Sequence, residues 1–522
     1  MSINKEYDVV IIGGGITGAG TARDCAMRGL STLLVERFDL AAGASGRNHG
    51  LLHSGARYAV TDSESASECI SENMILRRIA RHCVEPTEGL FITLPEDDLE
   101  YQARFVASCR AAGISAEVID PELARRMEPS VNPDIIGAVK VPDGSVDPFR
   151  LTVANVRDAC MHGADVLTFT EVTGIVRENG RVCGVTLRDH RTGEDMRINS
   201  RMVVNAGGIW GQRLAEMVGA KINMFPAKGA LLVFGHRVNN MVINRCRKPA
   251  DADILVPGDT VCIIGTTSSR VPYDTIDSVR PTAEEVDLLL AEGAKLAPEL
   301  ASTRVLRAYA GVRPLVASDD DPSGRSISRG IVLLDHEVRD GIPGMITITG
   351  GKLMTYRLMA EKATDLVCSK FRIDRKCATA TTPLPGSESE PSYDAKSVMS
   401  RKAAVGRQGT MANYIDFDDD NRVVCECENV SMAEIRYAVG AFGVRTLQEL
   451  RRRTRVGMGT CQGAFCIDKA ARALAEALGD PSMEKQLIGE YLRERWEGMS
   501  HVCWGDTLRE AEYMRRKYAD EI

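Results

Sequence analysis

Gly13-Gly14-Gly15-Ile16-Thr17-Gly18 stands between a short β-branched run, residues 8–12, and a helix-forming stretch, residues 16–29. This is Gly-x-Gly-x-x-Gly in the one setting where its geometry has a use. Gly13 permits a tight turn, Gly15 lets the backbone approach a pyrophosphate, and Gly18 lets the helix close on the strand. The helix start offers free N–H groups and partial positive charge to phosphates. Residues 31–36 read as a second strand. Glu36 ends it, 18 residues after Gly18 (36 − 18), where a carboxylate accepts hydrogen bonds from ribose hydroxyls. Strand, helix and strand form a βαβ unit, which commits the chain to a parallel sheet with a right-handed crossover. The loop itself suits FAD and NAD equally.

At 522 residues the chain exceeds one compact core, so two or three domains are expected. A net charge of −7 argues against wholesale nucleic-acid binding. The 15 cysteines are an odd count, which argues for a reducing compartment rather than a disulfide framework. No secretory pattern opens the sequence, and no apolar run reaches the roughly 18 residues that span a bilayer. Membrane contact is therefore expected to be peripheral or made through a partner.

Periodicity predicts a helix over 64–82 through Ile70, Met74, Ile75 and Ile79, and a β-meander over 171–204 with Asn179-Gly180 as a tight hairpin turn. Residues 230–267 and 327–349 read as strand-rich, and 353–370 as a helix. The polar, partly acidic stretch 386–420 reads as a linker. A compact module, 421–480, follows with helices near 431–440 and 446–453, and then a helical tail, 481–522.

That module carries Cys425 and Cys427, two apart, and Cys461 and Cys466, five apart. In Cys-x-Cys an extended backbone turns both sulfurs to one side. The 34 residues from Cys427 to Cys461 are enough for a helical hairpin to bring the pairs together. Four thiolates suit an iron–sulfur cluster, whose potential Gly457, Gly459 and Gly463 would tune through backbone N–H groups. Structural zinc more often uses Cys-x₂-Cys pairs, and two disulfides would need an oxidising compartment; both readings stay open here. The run Arg451-Arg452-Arg453 with Arg455 is read as offsetting an anionic cluster or as a solvated basic helix end, with an acidic partner's docking site third. Residues 506–522 suggest an amphipathic helix, packed on its own domain in preference to docking a partner.

Beyond the loop, His53-Ser54-Gly55-Ala56-Arg57-Tyr58, Ala310-Gly311-Val312-Arg313-Pro314-Leu315 and the stretch from Gly350 to Arg357 resemble the glycerol-3-phosphate dehydrogenase flavoproteins, within the D-amino-acid-oxidase-like group. With Arg451 to Cys461 and the cysteine module included, the chain resembles the A subunits of the anaerobic enzymes over nearly its whole length. The resemblance implies an α/β fold: a Rossmann-like FAD-binding domain with an inserted antiparallel-sheet substrate domain (together 1–385), plus a small C-terminal helical module like the bacterioferritin-associated ferredoxin.

It implies FAD held by Gly13, Gly15, Ile16, Thr17, Gly18, Glu36, Arg37, Ser45, His53, Ser54, Val172, Ala206, Gly207, Trp210, Gly351, Lys352, Leu353 and Met354. Cys425, Cys427, Cys461 and Cys466 would hold a [2Fe–2S] cluster. Glycerol 3-phosphate would be bound by Arg57, Tyr58, Arg313, Arg329 and Lys352, with Arg313, Lys352 and His53 as catalytic groups. A Lys-Gly-Ser-His-like segment of aerobic relatives reads Lys228-Gly229-Ala230-Leu231 here, so that histidine has no counterpart. The implied reaction is hydride transfer from C2 to flavin N5, giving dihydroxyacetone phosphate. Electrons would pass through the cluster and partner subunits, a flavoprotein and a membrane-anchor iron–sulfur protein, to a quinone at the cytoplasmic face of the inner membrane. Two rivals remain: an amino-acid or 2-hydroxy-acid dehydrogenase on the same scaffold, and a non-catalytic flavin/iron–sulfur electron-transfer protein.

Overall fold

Val9, Val10, Ile11, Leu33 and Leu34 are fully buried, which a strand achieves only when both faces of its sheet are covered. In the computed structural model, which describes residues 4–316, 330–387, 420 and 422–519, Glu6–Ile12 lies between Thr32–Val35 and Asp195–Asn205 and runs parallel to both. Asp165–Leu167 extends one edge in parallel, and Met345–Gly350 runs parallel to the end of Asp195–Asn205. Helix Ile16–Met27 packs on one face with helices Pro148–Met161 and Tyr356–Phe371. It stops as its sequence predicts, with Gly29 at φ +71°.

The meander is Thr170–Glu178, Arg181–Asp189 and Asp195–Asn205, turning at Asn179 and Gly180, both at positive φ. The helix expected over 64–82 forms as Ser63–Ile79, but its buried face differs from the expected stripe. Ala66, Cys69, Glu72, Asn73 and Leu76 face inward, while Met74 is half exposed. The reason is polar. Glu72 receives the fork of Arg357, and Asn73 donates to the carbonyls of Leu52 and His53, so two polar side chains belong to the inner face.

A second sheet of nine strands draws on residues 89–141 and 224–316 and is antiparallel except where Val242–Arg245 runs parallel to Gly89–Thr93. Its longest pairing joins Met224–Phe234 to Val305–Val316. Ala230, Leu232, Phe234 and Ala308 point into the main core of this sheet. The register sets Arg307, Tyr309, Gly311 and Arg313 opposite Val233, Leu231, Gly229 and Ala227 on the other face. From Arg307 to Arg313 is six residues, about 20 Å along the strand. One rigid strand thus reaches from the cysteine module to the candidate substrate site.

The C-terminal region adds helices Met432–Phe442, Leu447–Thr454 and Ile467–Leu478, the last not expected from the sequence. Capping boxes at Ser431/Glu434 and Thr446/Glu449 start the first two. Helices Glu484–Met499 and Gly505–Lys517 belong to the same core, through Leu487, Ile488, Tyr491, Met514 and Tyr518. The tail is therefore packed on its own chain. Of the expected linker, residues 388–419 lie outside the described residues.

Candidate active site and cysteine centre

The glycine loop is built to the tolerance of a missing side chain. A Cβ on Gly18 would lie 1.9 Å from the Gly13 carbonyl oxygen, and one on Gly13 2.5 Å from that of Ala206. At Gly15 the nearest atom to such a Cβ is Ser45 Oγ, at 3.0 Å. That hydroxyl accepts from the N–H of Ile16 at 2.9 Å, capping the helix start where a pyrophosphate would sit. Glu36 accepts from the N–H groups of Gly14 (2.7 Å) and Phe38 (2.8 Å). Burial raises its carboxyl, and those two donors work against the rise.

Other residues expected at the nucleotide gather at the same sheet end. Ala206 and Gly207 follow Asn205 against Gly13. Trp210 and Arg37 meet on Asp277, at 2.7 and 2.6 Å. Val172 packs with Ile12 and Val35. Gly351 lies against Met359, which Thr17 also touches, and Leu353 and Met354 pack with Ile16.

His53 is buried, and Asn73 holds its carbonyl. The N–H of Ser54 donates to the buried Asp143 at 2.6 Å. Rings step outward from there: His49 to His53 at 6.1 Å, His53 to Tyr58 at 5.4 Å, then Lys352 Nζ over the Tyr58 ring at 4.5 Å. Four of the expected residues, His53, Ser54, Tyr58 and Lys352, thus form one continuous wall.

Arg57 and Arg313 are anchored on adjoining loops. Arg57 donates to the Ala250 carbonyl and to Asp253, both at 3.1 Å. Its other terminal nitrogen, Nη1, is buried without a hydrogen-bond partner. Arg313 donates to the carbonyls of Lys228 (3.2 Å) and Thr267 (3.0 Å) and to the Thr266 hydroxyl. The Ala252 N–H donates to the Thr266 carbonyl at 3.3 Å, tying the two loops together. Gly229 makes room: a Cβ there would lie 2.6 Å from the Arg313 guanidinium. Leu231 is buried and pairs with Tyr309 in the strand register. Arg329 lies outside the described residues.

Sequence reasoning missed Asp253 and Asn48. Asp253 anchors Arg57 and also Arg247 at 2.8 Å. The Asn48 carbonyl accepts from the half-buried Tyr309 hydroxyl at 2.8 Å, fixing segment 41–50 to the long strand. No motif marks either, since both act through contacts distant in the chain.

The four cysteines form a closed ring. Cys427 Sγ is 3.8 Å from both Cys425 Sγ and Cys461 Sγ, and Cys466 meets Cys425 and Cys461. The sulfurs pull one another apart in proton affinity, with Cys425 and Cys461 pushed down and Cys427 and Cys466 pushed up. Backbone N–H groups of Gly457 and Glu428 reach Cys425, and those of Phe465 and Gly463 reach Cys461. Gly459 leaves space instead, since a Cβ there would lie 2.5 Å from Cys427 Sγ. Tyr491 braces the segment that carries Cys461, its hydroxyl shared between the carbonyls of Gly457 and Gln462. Oriented N–H groups and sulfurs on opposite loops fit an iron–sulfur cluster, whose charge such donors temper. Among the described residues, no group of three or more His, Cys, Asp or Glu side chains is arranged for a single metal ion.

The solvated reading of the basic run does not hold. Arg452 and Arg453 bind Asp39, beyond the second strand of the βαβ unit, and Arg451 binds Glu494. Arg455 binds Asp147, Asp259 and Glu428 at 2.6–2.9 Å. These side chains are mostly buried and dock the module rather than face solvent. No helix among the described residues is long and apolar enough to cross a membrane.

Residues 8–357 match the family model of FAD dependent oxidoreductases, and residues 423–476 match the BFD-like [2Fe-2S] binding domain. FAD and a [2Fe–2S] cluster are therefore the cofactors of this chain. The crystal structure of a Bacillus halodurans glycerol-3-phosphate dehydrogenase complexed with FAD shares the fold, with TM-score 0.66, 23% identity, and 99% of this chain and 95% of that one covered. The A subunit of the anaerobic glycerol-3-phosphate dehydrogenase of Escherichia coli K12 is 62% identical, over 99% of this chain and 96% of that protein. The protein of the same name from Haemophilus influenzae is 60% identical over 99% and 93%, and the A1 subunit from Haloferax volcanii 44% over 97% and 89%. With both domains matched and likeness running almost end to end, the chain belongs to the family of anaerobic glycerol-3-phosphate dehydrogenase A subunits.

Proposed function

We propose that the protein oxidises sn-glycerol 3-phosphate to dihydroxyacetone phosphate and passes the electrons on singly, through partner subunits, to a quinone at the cytoplasmic face of the inner membrane. The observation that carries the reading is that Arg57 and Arg313 are anchored to two segments tied by the Ala252–Thr266 hydrogen bond, with a buried Arg57 nitrogen lacking a partner. Such a nitrogen is costly unless an acceptor meets it, and a phosphate oxygen is the acceptor guanidinium forks suit best. The names of the relatives supply the substrate and the existence of further subunits.

FAD held at the glycine loop supplies the two-electron acceptor, and the cluster held by Cys425, Cys427, Cys461 and Cys466 the one-electron outlet. Arg57 and Arg313 hold the phosphate of the substrate. Lys352 stabilises negative charge growing on the C2 oxygen as the C2 hydrogen departs with its electron pair. His53 takes the hydroxyl proton, leaving a C2 carbonyl, with Tyr58 orienting its ring. Asp253 and Gly229 are positioning residues, one anchoring Arg57 and the other leaving space for Arg313.

Anaerobic mixing of holoprotein with glycerol 3-phosphate tests this. The expected result is loss of flavin absorbance followed by a cluster signal in electron paramagnetic resonance. Bleaching by amino acids or 2-hydroxy acids in preference to glycerol 3-phosphate overturns the substrate assignment.

A further inference from the structure

A cavity of about 530 Å³ opens where the flavin-side segment 41–50, strand Val305–Val316 and helices Leu447–Thr454 and Glu484–Met499 meet. None of the residues assigned above to FAD or substrate lines it. Arg47, Arg307 and Arg451 do, with Glu494 between them. Glu494 serves two cations, Arg307 and Arg451, each at 3.0 Å. Arg47 makes no side-chain hydrogen bond or ion pair among the described residues.

Other charges in the wall are committed: Arg452 to Asp39, Arg280 to Glu497, and Arg455 with Arg150 to Asp147 and Asp259. At this end three guanidinium groups therefore face one carboxylate, a surplus of two positive charges (3 − 1). Burial, and after it the neighbouring Arg307, push Arg451 down to about 10.

The hydrogen-bond inventory agrees. Nε of Arg307 and of Arg451 is in each case buried without a hydrogen-bond partner. Two orphaned donors in one cavity of surplus charge +2, beside the uncommitted Arg47, call for an acceptor with several oxygens and two negative charges. Residues on both sides contribute, since Arg307 belongs to the substrate-domain strand and Arg451 to the cysteine module.

We propose that this cavity is a second anion site, taking a phosphate-type dianion (inorganic phosphate or a small phosphate monoester) that bridges the substrate-domain strand to the cysteine module. It is separate from the substrate phosphate site at Arg57 and Arg313 and does not depend on that assignment.

The test is calorimetric titration of FAD-loaded holoprotein with inorganic phosphate and, separately, methyl phosphate. The expected result is a binding class that survives Arg57→Gln and weakens at least about tenfold in Arg47→Gln, with Arg47→Lys recovering most of it. Binding of both probes marks a general phosphate site, and binding of methyl phosphate alone a monoester site; either supports the proposal. No binding, or a single class lost in Arg57→Gln and untouched by Arg47→Gln, overturns it. If the cavity class behaves as expected while Arg57→Gln alters no binding class at all, the proposal stands and the substrate-site assignment falls. Phenylglyoxal labelling of wild-type holoprotein, mapped by mass spectrometry, gives a readout needing no variant: phosphate should protect Arg47, and unchanged labelling overturns the proposal.

Discussion

Arg453, in the last turn of helix Leu447–Thr454, places its guanidinium on Asp39, three residues beyond Glu36. The side chains are 1% and 2% exposed. Burial raises the Asp39 carboxyl, but Arg453 and Arg452 outweigh it and hold the group below the usual carboxylate range. Asp39 also leads into Ala41, whose N–H donates to the Gly14 carbonyl at 3.0 Å. The cysteine module is thereby pinned to the nucleotide loop itself.

Removing one partner of this pair strands a buried charge, a loss of about 3–5 kcal/mol in comparable pairs. Asp39→Asn should lower the denaturant midpoint, release the module to limited proteolysis and weaken FAD retention. The double variant Asp39→Leu/Arg453→Met should be less destabilised than either single change. If it is worse than both, the pair contributes more than compensation of its own desolvation.

Glu494 gives the docked module an acid limit. Burial works to raise its carboxyl, but Arg307 and Arg451 outweigh this and hold it at about 2, against an ordinary 4.5. A folded-state value below the unfolded one stabilises above the unfolded value, and that stability is lost as pH falls through the folded value. Module docking should therefore weaken as pH drops from about 4.5 toward 2. Glu494→Gln should remove this pH-dependent part while destabilising the protein at neutral pH. Thermal midpoints of both proteins, measured from neutral pH down into that acid window, check it.

The βαβ unit, the meander and its Asn179-Gly180 turn were legible because backbone requirements write them locally: β-branched runs, left-handed turn residues, glycines where nothing else fits. The cysteine quartet was legible because ligand spacing is itself the signal. The role of Arg451 to Arg455 was not, since a basic helix end reads alike whether it faces solvent or the carboxylates of Asp39 and Asp147, more than 300 residues away in the chain. The buried face of Ser63–Ile79 was hidden for a related reason. Glu72 and Asn73 count as polar in any periodicity, yet distant partners satisfy them inside.

The paired arginines should divide their labour from FAD binding. Arg313→Lys keeps a charge but loses the fork, and Arg57→Ala removes the unpartnered nitrogen. Each should lower kcat/KM for glycerol 3-phosphate about 10- to 100-fold, the size expected for a charge-assisted hydrogen bond. FAD absorbance should stay at one equivalent, because neither guanidinium touches the glycine loop. Loss of flavin in either variant would move these residues from substrate to cofactor.

Gly459 separates the two redox centres experimentally. A methyl group at this position meets Cys427 Sγ at 2.5 Å, so the sulfur or its loop must shift. Overpacking of this kind costs about 1–3 kcal/mol, and here the strain falls on the sulfur, because Tyr491 holds the segment around Gly459 through the Gly457 and Gln462 carbonyls. Gly459→Ala should therefore reduce iron content and the cluster's paramagnetic signal. Flavin bleaching by glycerol 3-phosphate should persist, because Arg313 lies at the far end of the long strand from the module's contact at Arg307. Cys427→Ser, which removes the sulfur without crowding, should give the same division. A variant with full iron and an unaltered signal would mean that Cys427 can turn away from Gly459 without leaving the cluster, and that the glycine serves the loop's backbone instead.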